Sequence, residues 1–172
     1  MQKLTLTALA AVPLQIPGAD PWYANPSDPA LSVITDFRER SSVTVPESAT
    51  IDAALEHMKH TGVRCAFAIN EAHRTVVGLI TAYDIMGEKP VRLAQSVVTP
   101  RAQLLVRDLM TPPADWRVVH IKQIEGGTVA AVARLFDESR LTHIVVVEGD
   151  DRGAPRLRGI LSAARVKRLL SK

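Results

Sequence analysis

An internal repeat constrains the fold of this chain more than any other feature of the sequence. Residues 50–58 contain a threonine followed by apolar residues at the spacing of one helix face, and residues 128–136 repeat this pattern 78 positions later. Short apolar runs follow at residues 66–69 and 144–147, and each leads through a polar turn to another strand. Two copies of helix, strand, turn, strand and helix predict two similar units.

Each unit closes with a glycine and a hydroxyl residue that precede its last helix. In the first unit the motif is Gly78-x-x-Thr81-x-x-Asp84, in which Thr81 is expected to cap the helix. One interpretation is a capping box, in which the hydroxyl and the carboxylate satisfy free N–H groups of the helix. The other is a nucleotide site, because a helix N-terminus attracts phosphate and the carboxylate can accept both ribose hydroxyls. The capping box is the commoner arrangement, and the recurrence of the motif is what favours the nucleotide site.

The order of these features resembles a tandem pair of CBS (cystathionine-β-synthase) domains, known as a Bateman module. The resemblance covers about residues 32–170 and includes Arg107–Pro112, which opens the second repeat. The layout resembles free-standing bacterial modules with no enzyme or channel attached. The resemblance implies an α/β fold of two repeats related by a pseudo-twofold axis. Each repeat is then expected to have a small, mostly parallel sheet packed by two helices, with clefts between the repeats.

The resemblance also implies a regulatory ligand with an adenosyl group: AMP, ADP, ATP or S-adenosylmethionine. In this family the Thr/Ser of the motif commonly contacts phosphate and the Asp holds the ribose. Carried over to this sequence, the ligand-binding residues are Val45, Arg64, Ala66, Phe67, Gly78, Thr81, Asp84, His143, Ile144, Ser162 and Arg165. Residues 63–67 are expected to line the first cleft and residues 141–145 the second, with Arg64 and His143 placed to reach phosphates.

The second copy of the motif departs from the family pattern. It keeps Ser162 but has Arg165 where the aspartate would stand, so the family's ribose contact is in doubt there. A cation in the first turn of a helix is unfavourable by about 0.3–1 kcal/mol unless an anion offsets it. Arg165 therefore binds a phosphate, including one from the ligand of the first site, or blocks the second site, or points to solvent. The sequence leaves these three alternatives open.

Four segments are expected: an N-terminal extended arm or strand at 1–30, the first CBS repeat at 31–90, a linker at 91–104 and the second repeat at 105–172. Residues 4–14 resemble the apolar core of a signal peptide, but threonines and a proline interrupt them and their alternation suits an edge strand. The prolines that follow predict an extended arm, with Trp22 and Tyr23 as anchors on the module or on a dimer partner. No stretch is long enough to span a membrane.

Composition narrows the class of protein. With 172 residues and 47% hydrophobic content, the chain can bury one large or two small cores, which must be mainly aliphatic because only seven residues are aromatic. The formal charge of +3 suits anionic ligands but is far from that of a nucleic-acid-binding arm. The single Cys65 excludes an intrachain disulfide and suits a reducing compartment, so we expect a cytoplasmic protein.

Catalytic and metal-binding patterns are weak. His57 and His60 stand three apart on a helix, but no third ligand is visible and a solvated face is favoured over a metal site. Cys65 has no readable His–acid partner set and is interpreted as a small apolar filler. The sequence has no Gly-x-Ser-x-Gly, Cys-x-x-Cys or His-Glu-x-x-His motif. We therefore expect a protein that is not an enzyme and requires no cofactor.

The predicted function is a regulatory module that senses an adenosyl ligand, forms a homodimer and passes the signal to an unidentified protein. One alternative is an interaction scaffold with degenerate clefts. Another is a nucleic-acid-binding module that uses the basic C-terminal helix, where Arg165, Arg168 and Lys172 share a face. Without interleaved aromatic residues, a solvated helix is the better interpretation of that face. Nucleic acid and membranes are not expected partners.

Overall fold

The computed structural model of this chain describes residues 23–149 and 155–171. The expected N-terminal strand and most of the proline-rich arm, at residues 1–22, lie outside the described residues. The strands are β1 Thr35–Asp36, β2 Thr44–Pro46, β3 Cys65–Asn70, β4 Thr75–Thr81, β5 Val118–His120, β6 His143–Glu148 and β7 Arg156–Ser162. The helices are α1 Ile51–Thr61, α2 Ala82–Met86, α3 Lys89–Val97, α4 Val106–Leu109, α5 Ile121–Glu125, α6 Val129–Ser139 and α7 Ala163–Leu170.

The strands form two mixed sheets. The first has the order β2-β3-β4, with β2 parallel to β3 and β3 antiparallel to β4. The second has the order β1-β7-β6-β5, in which β5 and β6 are parallel and the other pairs are antiparallel. The expected α/β fold is therefore present, but the sheets are mixed rather than mostly parallel. The turn at residues 71–74 explains the difference, because so short a connection joins only antiparallel neighbours.

The two repeats have the same strand register. Cys65 pairs with Thr81 across β3 and β4, and His143 pairs with Ser162 across β6 and β7. A register shift interrupts both ladders at equivalent positions. The internal repeat in the sequence is thus a structural repeat as well.

Threonine caps begin the longer helix of each repeat, as the spacing predicts. The Thr50 hydroxyl accepts from the Ala53 N–H at 3.3 Å, and the Thr128 hydroxyl accepts from the Ala131 N–H at 3.3 Å. The apolar faces of both helices are buried in separate cores. At the other end, α1 stops at Gly62, whose φ of 70° is a left-handed conformation that glycine adopts without strain.

Each core also contains a segment from the opposite side of the chain. Leu104, Val106 and Leu109 precede most of the second repeat but are buried in the core of the first. Conversely, Ala30 and Val33 precede the first repeat and are buried in the core of the second. The repeats are therefore interlocked, because neither core is complete without a segment that reaches it from elsewhere in the chain.

Two glycines allow these exchanged segments to approach the sheets. A Cβ atom at Gly159 would lie 2.6 Å from the Thr35 carbonyl oxygen and 2.7 Å from Ile34 Cδ1. At the equivalent Gly78 it would lie 2.7 Å from Met110 Cγ and 3.0 Å from Met110 Cβ. At both positions a Cβ atom would come as close as or closer than Cβ atoms approach other atoms in proteins. The repeated glycine therefore allows the exchanged segments to pack closely against the sheets.

None of the helices in the described ranges combines the length and the hydropathy that a bilayer crossing needs.

Candidate ligand clefts

A cleft of 350 Å³, which we call the Thr81 cleft, lies between the two repeats. Thr81 and Asp84 line one wall, at the end of β4 and in the first turn of α2. His143 and Val145 of β6 line the other. The sequence motif of the first repeat therefore faces a strand of the second repeat.

Thr81 and Asp84 form the capping box that the sequence allows. The Thr81 hydroxyl accepts from the Asp84 N–H at 3.1 Å and donates to Asp84 Oδ2 at 2.7 Å, while the Thr81 N–H donates to the same oxygen at 3.0 Å. The other carboxylate oxygen, Oδ1, lies 3.7 Å from Lys89 Nζ. Because the box occupies Oδ2, Oδ1 is the oxygen of Asp84 that is best placed to meet a ligand.

Several lining residues of the Thr81 cleft were not predicted from the sequence. Lys89 and Arg117 bring positive charge, and Trp116 brings a flat apolar wall. The Trp116 indole donates to the Thr111 carbonyl oxygen at 2.9 Å, and its ring packs edge-on against Phe67 with centroids 5.9 Å apart. These residues follow the repeated motifs rather than belong to them, so no spacing in the sequence marks them.

A second cleft of 510 Å³, the Ser162 cleft, lies on the other side of the interface between the repeats. Ser162, Arg165 and Arg168 line one wall, and Arg64 and Phe67 line another. Arg165 is partly buried there, so the alternative in which it points to solvent is wrong.

The Ser162 side chain makes no capping hydrogen bond, which corrects the expectation of a hydroxyl cap. Thr81 is held by reciprocal bonds with Asp84, whereas the equivalent position after Ser162 carries Arg165. A guanidinium has no acceptor, so it cannot return the bond that completes a capping box.

The pairing of segments across the clefts also corrects the sequence expectation. Residues 63–65 with Phe67 line the Ser162 cleft, and residues 141–143 with Val145 line the Thr81 cleft. Residues of β3 share the Ser162 cleft with residues of β7, and residues of β4 share the Thr81 cleft with residues of β6. Each cleft therefore combines the motif of one repeat with a strand start of the other.

Four residues assigned to ligand binding by the resemblance line neither cleft. They are Val45, Ala66, Gly78 and Ile144. Val45, Ala66 and Ile144 are buried in the cores of their repeats, because alternate residues of a strand point to opposite faces of a sheet. Phe67 and Val145, the next residues along, face the clefts instead.

His143 lines both clefts. Burial lowers the pKa of His143 to about 4. The Asp84 carboxylate opposes this by raising the pKa, whereas the Arg64 guanidinium acts with burial and lowers it. The imidazole is therefore neutral near pH 7, and it stands between an acidic and a basic group.

Cys65 is suited to packing rather than to nucleophilic chemistry. Burial, reinforced by the Asp84 carboxylate, raises the pKa of the thiol to about 12, so thiolate is scarce near neutral pH.

His57 and His60 are exposed on α1. Within the described residues, no group of three or more His, Cys, Asp or Glu side chains is arranged to hold a metal ion.

Comparisons with known proteins agree with the two-repeat fold. The CBS domain family model matches residues 32–90 and 106–172. A search of curated proteins found no match. An uncharacterized conserved protein from Pyrococcus horikoshii is similar over 83% of this chain and 92% of its own, at 20% identity and a TM-score of 0.57. A CBS-domain containing protein from Agrobacterium tumefaciens, ATU1752, is similar over 91% and 98%, at 18% identity and a TM-score of 0.57.

A third similar structure is CBSX2, solved in complex with AMP. It is 25% identical, with a TM-score of 0.52, and the similarity covers 85% of this chain and 94% of CBSX2. CBSX2 is a CBS-pair protein from Arabidopsis thaliana. The two family matches, the repeated register and the paired clefts lead to one conclusion: the chain belongs to the CBS domain family, as a tandem pair of the kind found in free-standing CBS-pair proteins.

Proposed function

We propose that this CBS pair is a regulatory sensor that binds an adenosine nucleotide in the Thr81 cleft. The observation that carries the proposal is the placement of the Thr81–Asp84 pair in a cleft between the repeats, beside Trp116 and two cationic side chains. The structure of CBSX2 in complex with AMP supports this choice of ligand. AMP is the first ligand to test, followed by ADP, ATP and S-adenosylmethionine.

The lining residues suggest a role for each part of such a ligand. Asp84 Oδ1 would accept hydrogen bonds from the ribose hydroxyls, with Lys89 leaving the Leu109 carbonyl oxygen and the carboxylate to reach phosphate. Arg117 would supply a second cation to the phosphate. The indole of Trp116 would pack against the adenine ring, since planar rings gain from aromatic contact. The Thr81 hydroxyl, which is engaged with Asp84, would act mainly by holding that carboxylate in place.

Signalling would follow from the position of the cleft. A ligand that touches both repeats changes their relative orientation only if it binds one orientation more tightly than another. We propose that the chain forms a homodimer and that the ligand alters either the angle between repeats or the affinity of the dimer for a partner protein. The interlocked cores allow a change at the interface to reach both repeats.

The experiment that tests the function is thermal unfolding in the presence of each nucleotide. At one hundred times its dissociation constant a ligand stabilises the folded state by about 2.7 kcal/mol, which raises the midpoint by several degrees for a chain of this size. Asp84→Asn keeps a hydrogen-bonding side chain beside Thr81 but removes the carboxylate, so it should reduce the shift strongly.

Asp108→Asn is the matched control. Asp108 caps α4 by accepting from the Leu105 N–H at 2.8 Å, as Asp84 caps α2, but it lines neither cleft. The Asp108 variant should keep the full ligand-induced shift. If no nucleotide shifts the unfolding midpoint of the wild type, the proposal of a nucleotide sensor is contradicted. An interaction scaffold is then favoured, and the next step is a search for protein partners.

A further inference from the structure

The two clefts differ sharply in charge. The Thr81 cleft is lined by three carboxylates and two strong cations: Asp84, Glu88, Asp115, Lys89 and Arg117. The Ser162 cleft is lined by four arginines: Arg40, Arg64, Arg165 and Arg168. No aspartate or glutamate of residues 23–149 and 155–171 lines that second cleft. Two clefts related by pseudosymmetry thus differ in charge, which is mixed in the Thr81 cleft and positive in the Ser162 cleft.

Substitutions at equivalent positions produce this difference. Arg165 follows Ser162 at the position that Asp84 holds after Thr81, and Ala164 replaces Tyr83. Because a guanidinium only donates hydrogen bonds, Arg165 cannot hold a ribose diol in the way a carboxylate does. The Ser162 cleft therefore lacks the group that selects ribose and has a phosphate-binding group in its place.

Neighbouring side chains restrain some of these arginines. Arg64 Nη1 donates to the Tyr83 hydroxyl at 3.2 Å. Arg40 and Arg165 also line an adjacent pocket that contains carboxylates, among them Glu125, and these oppose the mutual repulsion of the arginines. Cations that are positioned before binding lose less side-chain entropy when an anion arrives.

The remaining lining favours phosphate oxygens rather than water. Val63, Phe67 and Ile160 provide apolar walls, which strengthen the attraction between guanidinium and phosphate by lowering the local dielectric. Ser41 and Ser162 add neutral hydroxyl donors. The four guanidinium groups carry a formal charge of +4, whereas one phosphate group carries about −2 near neutral pH, so a chain of phosphate groups balances their charge better than a single one.

We propose that the Ser162 cleft binds an oligophosphate, meaning a linear chain of two or more phosphate groups, and selects it by phosphate charge rather than by ribose. The chain can be inorganic or attached to a nucleoside. This site shares His143 with the Thr81 cleft but does not depend on the function proposed there. A protein with both sites would bind two classes of ligand, and would recognise one by its nucleoside and the other by its phosphates.

The test is isothermal titration of sodium tripolyphosphate into the full chain at constant ionic strength, with orthophosphate, AMP and ATP as the comparison ligands. Tripolyphosphate should bind at least tenfold more tightly than orthophosphate. Arg168→Ala should weaken that binding roughly three- to tenfold, since it removes one charged contact. Lys167→Ala is the matched control, because Lys167 is the neighbouring exposed cation on α7 and does not line the cleft.

Arg165→Asp provides a second, independent variant, since it places a carboxylate at the position equivalent to Asp84. It should abolish tripolyphosphate binding, whereas Asp84→Asn should leave it unchanged. Thermal unfolding without ligand verifies that each variant is folded before it is titrated. The Asp84 variant separates this site from the nucleotide site, because loss of AMP binding with intact tripolyphosphate binding affects only the other proposal.

Three results would overturn the proposal. The first is no binding of tripolyphosphate by the wild type. The second is an equal loss in the Arg168 and Lys167 variants, which would indicate a diffuse response to charge. The third is binding of ATP but not of tripolyphosphate at this cleft, which would show that the nucleoside is required. Tight tripolyphosphate binding that depends on Arg168 and Arg165 supports the oligophosphate site, and comparison with ATP then shows whether a nucleoside adds affinity.

Discussion

Asp36 and Arg158 form a buried ion pair across the junction between β1 and β7. Their side chains are only 15% and 10% exposed, and Arg158 Nε also lies 3.2 Å from Glu148 Oε2. The backbones meet at the same place, because the Phe37 N–H donates to the Arg158 carbonyl oxygen at 3.0 Å. Side-chain charge and strand pairing together hold the segment that precedes the first repeat against the sheet of the second.

Removing one partner of this pair should destabilise the protein. We expect Asp36→Ala to lower the free energy of unfolding by roughly 2–4 kcal/mol, because a buried guanidinium would keep only its contact with Glu148. Arg38→Ala is the control, since Arg38 also pairs with Glu148 but its side chain is 66% exposed, and it should change stability by about 1 kcal/mol or less. Urea denaturation measures both values, and equal effects would contradict the role of burial.

A methyl group at Gly159 should disturb the same junction. Gly159→Ala places a Cβ atom against a backbone carbonyl oxygen at 2.6 Å, so a strand must shift, at a cost of about 1–3 kcal/mol. The nearest atom to a Cβ at Gly126 is 3.8 Å away, so Gly126→Ala should be close to neutral. Thermal unfolding of the two variants checks this prediction. An unchanged midpoint for the Gly159 variant would show that the junction is looser than described.

His143 predicts a pH dependence of stability. Its pKa is lowered to about 4 in the folded state, below the usual 6.5, so the unfolded chain binds the proton more readily. The contribution of the neutral imidazole to the free energy of unfolding is therefore fully present above pH 6.5 and is lost as the pH falls from 6.5 through 4. Urea denaturation across this range should show a weaker pH dependence in His143→Gln than in the wild type. His60→Gln, on the exposed face of α1, should retain the wild-type dependence.

Cys65 should resist alkylation in the folded protein. Because burial and Asp84 raise the pKa of the thiol to about 12, little thiolate is present at pH 8. Iodoacetamide should modify Cys65 far more slowly in buffer than in 8 M urea, as followed by mass spectrometry. Similar rates in the two solvents would contradict the burial of this thiol.

Local patterns were sufficient to predict the features that arise within one turn or one strand. Thr50 and Thr128 cap their helices because an N-cap bond spans only three residues, and the same short range makes the Thr81–Asp84 box predictable. The family resemblance added the tandem architecture and the clefts. Arg165, which the sequence also displays, removes the acceptor that would complete a capping box at Ser162.

Features that depend on packing between distant segments were not predictable in this way. Residues 63–65 and Phe67 line the cleft of Ser162 rather than that of Thr81 because of how the two sheets oppose each other, which no spacing in the sequence records. Trp116 enters the Thr81 cleft for a similar reason. Ala66 was assigned to the site and Val145 was only part of a range, because a resemblance identifies a strand more readily than the face to which each side chain points.

The interlocked cores have a consequence for synthesis of the chain. Thr35 pairs with Ile160, 125 positions further along, so the first described strand to be translated is completed by one of the last. At about 5–20 residues per second, β1 waits roughly 6–25 s for its partner to be made. Until the second repeat is made, Val33 and Ile34 also lack the core residues that bury them in the folded protein. Translation rate, and any chaperone that shields a short apolar segment near the ribosome, therefore become determinants of how much of this protein reaches its folded state.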